Sequence, residues 1–285
     1  MKTNYFFRLL LNALACWALM ASGSAQAAIT CSLTSNGFFT LYVPAATTQN
    51  ITQASFTMTC TRSDSTDAQS QPYTVKTDNG MHSLGVNNRA ASGSNYIRYD
   101  NYIDSACTTS WKGNTSLPLG GGTITFASAS DFLPHSQTVP FWGCIAAGIT
   151  TVTAATYTDT VTMTPSEGSP ATFPVTIATS SSCTISSPPG NVSFNYTSFQ
   201  STAASASTSF AATCTNQMPY TMALDATSGT LLGLSYALSL SPSSATGTGL
   251  AQSYTINGSI AAGQAGTCSG ASCSATQARA LTISY

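Results

Sequence analysis

The sequence predicts an all-β protein made of two consecutive sandwich domains, and three observations carry that expectation. The chain holds 42 Ser and 45 Thr yet remains 42% apolar, and Thr interleaved with Val, Ile, Tyr and Phe favours strands over helices or disorder. Short alternating runs are separated by turn residues, and none carries apolar residues at helical spacing over a usable length. One series of short strings also occurs twice in the same order.

The first 27 residues stand apart from the fold. Lys2 and Arg8 form a positive n-region, Leu9 to Met20 is apolar, and Ala25-Gln26-Ala27 is a small-x-small cleavage site. This is the pattern of a secretory signal peptide, with the mature chain starting at Ala28. A lipoprotein signal would use Cys16, but Ala13-Leu14-Ala15 matches a lipobox poorly. No second long apolar run offers a membrane span.

Export accounts for the cysteines. Setting Cys16 aside leaves eight in an oxidising compartment, which favours disulfides over metal ligands or reactive thiols. They divide into Cys31, Cys60, Cys107 and Cys144, then Cys183, Cys214, Cys268 and Cys273. The spacing from 31 to 60 nearly matches that from 183 to 214, and both second cysteines sit in Thr-Cys-Thr. The expected pairs are therefore Cys31-Cys60 and Cys183-Cys214, leaving Cys107-Cys144 and Cys268-Cys273. Four cysteines per domain allow three connectivities, so spacing alone leaves the alternatives open.

The repeat extends well beyond the cysteines. Thr59-Cys60-Thr61 leads to Pro72-Tyr73-Thr74-Val75, as Thr213-Cys214-Thr215 leads to Pro219-Tyr220-Thr221-Met222. Cys144-Ile145-Ala146-Ala147-Gly148 is answered by Ser259-Ile260-Ala261-Ala262-Gly263. Two domains follow, 28–179 and 180–285, meeting in the Ser-rich stretch Thr179 to Ser182. Strands A to F of the first are expected at Phe38 to Val43, Ser55 to Thr61, Pro72 to Thr77, Asn95 to Ile103, Gln137 to Ile145 and Thr156 to Thr164. Those of the second fall at Val192 to Phe199, Thr208 to Thr215, Pro219 to Asp225, Leu234 to Leu240, Gln252 to Ile260 and Gln277 to Tyr285. The number and spacing of strands point to immunoglobulin-like sandwiches.

The copies then diverge. The first continues through Pro165 to Pro170 into Ala171 to Ala178, where Phe173, Val175 and Ile177 alternate with polar residues as a seventh, self-complementing strand. Pro174 fits there if its missing N–H faces off an edge. The second copy has no such segment before Tyr285, so an apolar groove and an unpaired edge are expected, with Leu281, Ile283 and Tyr285 offered to a strand in trans.

Both copies resemble spore coat protein U domains, through Cys-Thr followed by Pro-Tyr-Thr, the Ile-Ala-Ala-Gly turn, Tyr157-Thr158-Asp159-Thr160-Val161-Thr162 and Leu281-Thr282-Ile283-Ser284-Tyr285. The resemblance spans nearly all of the mature chain. It implies a subunit of an archaic chaperone-usher (Csu-like) pilus. The implied partners are a periplasmic pilus chaperone, an outer-membrane usher and the N-terminal donor strand of an adjacent pilin. It further implies passage through the periplasm to the cell surface and a part in biofilm formation. Only Ala28 to Thr30 would precede Cys31 after cleavage, too short for a donor strand. The expected position is therefore the pilus tip, as a tip adhesin.

Strand alternation places the B–C, D–E and F–G loops at the end distal to the second domain, and these are the loops that differ between copies. The D–E connection, Asp104 to Ser136, is expected to meet an abiotic or host surface through Trp111, Leu117, Leu119, Phe132 and Leu133. Burying one Leu or Phe against such a surface contributes about 1.5 to 3 kcal/mol, and many pili add avidity. A structural pilus or spore-coat subunit is one alternative. A carbohydrate-binding lectin is another, with Trp111, Tyr96, Tyr99 and Tyr102 stacking on sugar and Asp100 and Asp104 hydrogen-bonding it.

Charge excludes other classes. Eight Lys and Arg against nine Asp and Glu give 6% charged residues, where about 25% is usual. Nucleic acid is not an expected partner of so neutral a chain. The two histidines, His82 and His135, have no partnered nucleophile, so no enzyme, cofactor or metal is implied, and His82 reads as a solvated loop residue. Asp64 and Asp67 could hold a cation but are more simply solvated. Beyond residue 182 only Asp225 and Arg279 are charged.

Overall fold

The computed structural model describes residues 29–112 and 121–285. The expected signal peptide lies outside them, as do Leu117 and Leu119. Among the described residues there is no helix, and the fold is all-β.

The first ten strands are β1 (Thr30–Ser35), β2 (Phe38–Tyr42), β3 (Asn50–Thr61), β4 (Ser70–Thr77), β5 (Asn88–Ser92), β6 (Asn95–Tyr102), β7 (Gly121–Thr125), β8 (His135–Ile145), β9 (Ala155–Pro165) and β10 (Ala171–Thr179). One layer runs β1-β3-β8-β6 and the other β7-β4-β9-β10-β2, with β5 bridging β6 and β9. The alternation read from the sequence becomes the core. Phe173, Val175 and Ile177 are fully buried on β10, as are Tyr157, Val161 and Met163 on β9. Phe141 of β8 meets Phe173 across the layers at 5.1 Å between ring centroids.

The remaining strands are β11 (Cys183–Ser187), β12 (Ala204–Cys214), β13 (Pro219–Leu224), β14 (Ser228–Leu231), β15 (Leu234–Ser241), β16 (Ser244–Thr246), β17 (Ala251–Ile260) and β18 (Leu281–Ser284). They form the sheets β11-β12-β17-β15-β14 and β16-β13-β18 around a separate, smaller core.

The sequence repeat is also a repeat of contacts. Cys31–Cys60 and Cys183–Cys214 each join neighbouring strands with Cα atoms 4.1 Å apart. Tyr73 donates its hydroxyl to Gln137 at 3.0 Å, and Tyr220 donates to Gln252 at 3.2 Å. Tyr99 donates to Asp159 at 2.7 Å, and Tyr236 donates to Gln277 at 2.6 Å. Tyr42 donates to Ala146 O, and Tyr196 to Ala261 O. Gly143 and Gly258 lack a Cβ for the same reason: one would collide with the ring of Phe38, the other with that of Phe194. These pairs put 192–196 in the place of β2, and 277–283 in the place of the β9 stretch from Asp159 to Pro165.

Two expected strands are corrected. Val192 to Phe199 lies in place but is not a strand, and of Gln277 to Tyr285 only Leu281–Ser284 is one. The reason is pairing. In the first copy β2 bonds to β10, and the lower part of β9 bonds to β10 as well; among the described residues of the second copy nothing occupies that position.

Candidate functional site

The distal end of the first copy is fixed by its strand registers. Asn50 pairs with Ile145 at one end of the β3–β8 ladder and Cys60 with His135 at the other. The second copy abuts the Asn50 end, where Asn216 Nδ2 donates to Thr151 O at 2.8 Å. The opposite end therefore carries 62–69, 126–134 and 166–170.

Arg62 organises that end. Its side chain is almost wholly buried, with Nη1 donating to Ser128 O at 2.6 Å and Nη2 donating to the carbonyls of Asp64, Ser65 and Asp67. The ring of Phe126 lies 5.7 Å from the guanidinium. Asp67 is buried too and accepts from the Ser63 and Asp64 amides at 2.9 Å. Asp64 accepts from the Thr66 amide, which holds its carboxyl below the usual carboxylate range. Arg62 thus places a cationic side chain among the main-chain carbonyls of this loop, and among the described residues no three His, Cys, Asp or Glu side chains gather as metal ligands.

Two apolar side chains project beyond this frame. Phe132 is 45% and Leu133 71% exposed. Asp131 accepts from the Ala127 and Leu133 amides and lies 2.9 Å from His135 Nε2, contacts that lower its pKa, the Ala127 amide most. His135 is accounted for by that contact and by its edge against Phe126.

Trp111 is a correction to the expected surface set: it is 1% exposed. Its indole donates to Val75 O at 2.8 Å and packs between Phe56 and Phe141. The chain leaves β6 only part of the way up, where Tyr102 pairs with Trp142, and Cys107 is bonded to Cys144. The D–E connection then pairs β7 with β4, so among its described residues 126–134 reach the distal end. The sugar-stacking set also comes apart. Tyr99 is buried, Asp100 is paired with Lys112 at 2.6 Å, and Asp104 caps its own turn.

Sequence reasoning missed a second apolar surface on the C–D connection, where Met81, Leu84 and Val86 are 75%, 62% and 54% exposed. Buried Asp159 anchors this loop by accepting from the Met81 amide, and His82 Nδ1 lies 3.2 Å from the same carboxylate. His82 is therefore part of an anchor, not simply solvated. Loop residues without alternation gave no signal for either role.

The second candidate surface is the outer edge of β18. Among the described residues its one strand neighbour is β13, whereas β9 is flanked by β4 and β10. Leu281 and Ile283 are half-buried, and Tyr285 is 62% exposed. Cys107–Cys144 and Cys268–Cys273 complete the bridges, the latter closing a turn just before this edge.

A family model described as Spore Coat Protein U domain matches residues 17–164 and 169–242. No curated protein matches the chain. Among solved structures, a chaperone-tip adhesion subunit pre-assembly complex from archaic chaperone-usher Csu pili of Acinetobacter baumannii is similar at 13% identity and a TM-score of 0.42, covering 90% of this chain and 99% of that one. The CupB6 tip adhesin from Pseudomonas aeruginosa is similar at 12% identity and a TM-score of 0.37, covering 84% and 89%.

Proposed function

The chain belongs to the Spore Coat Protein U domain family, and on that premise we propose that it is an exported chaperone-usher pilus subunit that ends its fibre as an adhesin. The two domains, 28–179 and 180–285, divide the work. The second accepts an extended strand from another chain, first a periplasmic chaperone and then the N-terminal donor strand of a neighbouring subunit, with the outer-membrane usher between them. The first is filled by its own β10 and meets an abiotic or host surface, supporting biofilm formation.

One observation carries this reading: the same strand position is occupied by β10 in the first copy and, among the described residues, open beside β18 in the second. An open edge next to half-buried apolar side chains is a liability unless a strand is added to it. Exposed Phe132 and Leu133 at the distal end support apolar attachment over sugar stacking, whose expected aromatic platform is partly buried.

The test is co-expression with a cognate chaperone. The full chain should co-purify in a one-to-one complex, and hydrogen exchange should slow at 281–284 and 192–196 while β10 stays unchanged. Protection confined to the first copy would overturn the assignment.

A further inference from the structure

The second copy carries two charged residues among residues 183–285, Asp225 and Arg279, and the fold brings them together at the open edge. The matched tyrosine contacts fix the register there. Tyr99–Asp159 corresponds to Tyr236–Gln277, so Arg279 stands where the first copy has Val161. Val161 is fully buried and pairs directly with Phe173 of β10. A strand entering the second copy in the register of β10 thus places one inward side chain directly against Arg279.

Arg279 is only partly provided for. Its Nε donates to Tyr236 Oη at 3.0 Å and Nη2 donates to Ser228 O at 2.8 Å. Its Nη1 faces Asp225 Oδ2 at 3.9 Å, beyond hydrogen-bond distance, and that carboxylate is 43% exposed. An added strand would cut the guanidinium off from water. A buried cation left with an unmet donor is strongly destabilising, whereas an opposite charge directly across antiparallel strands is favourable.

We propose that Arg279 is a specificity-determining residue of this acceptor edge, selecting a strand that carries a carboxylate side chain opposite it, where β10 carries Phe173. The proposal rests on the reading that the second copy accepts a strand. The incoming strand runs antiparallel to 277–283 and parallel to 192–196, with apolar side chains at the positions of Val175 and Ile177.

The experiment titrates the full chain with two fluorescent nine-residue peptides, the sequence Ala171 to Thr179 and the same sequence with Phe173→Glu. The Glu peptide should bind about tenfold or more tightly, and Arg279→Leu should reverse the order. Arg279→Glu should in turn prefer a Phe173→Lys peptide, which keeps the test open if the Leu variant does not fold. Equal binding of the two peptides to the unmodified chain, or preference for Phe, overturns the selectivity while leaving strand acceptance intact. Binding of neither overturns strand acceptance itself, and the proposal with it.

Discussion

Leu33 and Ile185 occupy the same place in the two copies, two residues after the first cysteine, yet Leu33 is 6% exposed and Ile185 41%. Each lies opposite the residue two before the second cysteine, Met58 in one case and Ala212 in the other. The difference is the cover: β10 packs beside β1, and among the described residues no strand takes that position beside β11. Truncation should therefore be unequal. Leu33→Ala should destabilise the first copy by about 2 to 5 kcal/mol, while Ile185→Ala should cost well under half of that until a strand is added. Denaturant titration followed by Trp111 and Trp142 fluorescence reports the first copy, and circular dichroism reports both.

Arg62 should be the most costly distal residue to remove. Its four carbonyl contacts join 62–67 to Ser128, and charge-assisted hydrogen bonds contribute about 1.5 to 3 kcal/mol each at most, less when partly shared. Arg62→Met should lower the stability of the first copy by roughly 3 kcal/mol and speed amide exchange in 62–69 and 126–131. Unchanged exchange there would show that the loops hold without it.

The strands that alternate were legible from residues alone because burial on one face writes itself into every second position. Phe173, Val175 and Ile177 announced β10 in this way. Strands that depend on a partner were not legible: 192–196 has the same pattern and the same tyrosine anchor as β2, but among the described residues no strand neighbour to bond to. Trp111 was unreadable for a different reason. Its burial depends on a long connection crossing from β6 to the β4 edge, and nothing local records that path. Arg62 sits in a stretch of Ser, Thr and Asp that reads as solvated, and its burial follows only from carbonyls that converge on it in space. Arg279 was visible as a rare charge, but its meaning came from the register, which sequence comparison alone leaves free by several residues.

Acid should leave the turn after β6 intact to unusually low pH. Asp104 accepts from the Thr109 amide at 2.6 Å and the Thr108 amide at 3.1 Å, which brings its carboxyl down to about 2. An unfolded Asp titrates near 3.9, at roughly the model-peptide value. The folded pKa is the lower one, so the stabilisation is fully present above about pH 4 and is lost as pH falls toward 2. Carboxyl NMR should give Asp104 a midpoint of about 2, and Asp104→Asn should loosen 104–109 at neutral pH. A midpoint at the unfolded value would remove the capping account.

Attachment should depend on Phe132 and Leu133 without their contributing to the fold. Leu133 is largely exposed and Phe132 nearly half so, while their anchor, Asp131, is held by the Ala127 and Leu133 amides. Replacing the pair by Ser removes apolar area that is not in the core, so the unfolding midpoint of the first copy should move little. Each side chain fully buried against an apolar surface contributes about 1.5 to 3 kcal/mol. Losing two should weaken a single contact by about two to four orders of magnitude, and multivalent attachment by more. The Phe132→Ser, Leu133→Ser variant should therefore detach from polystyrene in flow while displaying normal surface antigen, and Leu117→Ser, Leu119→Ser should be compared with it. Met81→Ser, Leu84→Ser, Val86→Ser is the control for apolar exposure away from the distal end. If that triple variant detaches and the Phe132→Ser, Leu133→Ser variant does not, the contact lies on the C–D connection and the distal assignment fails.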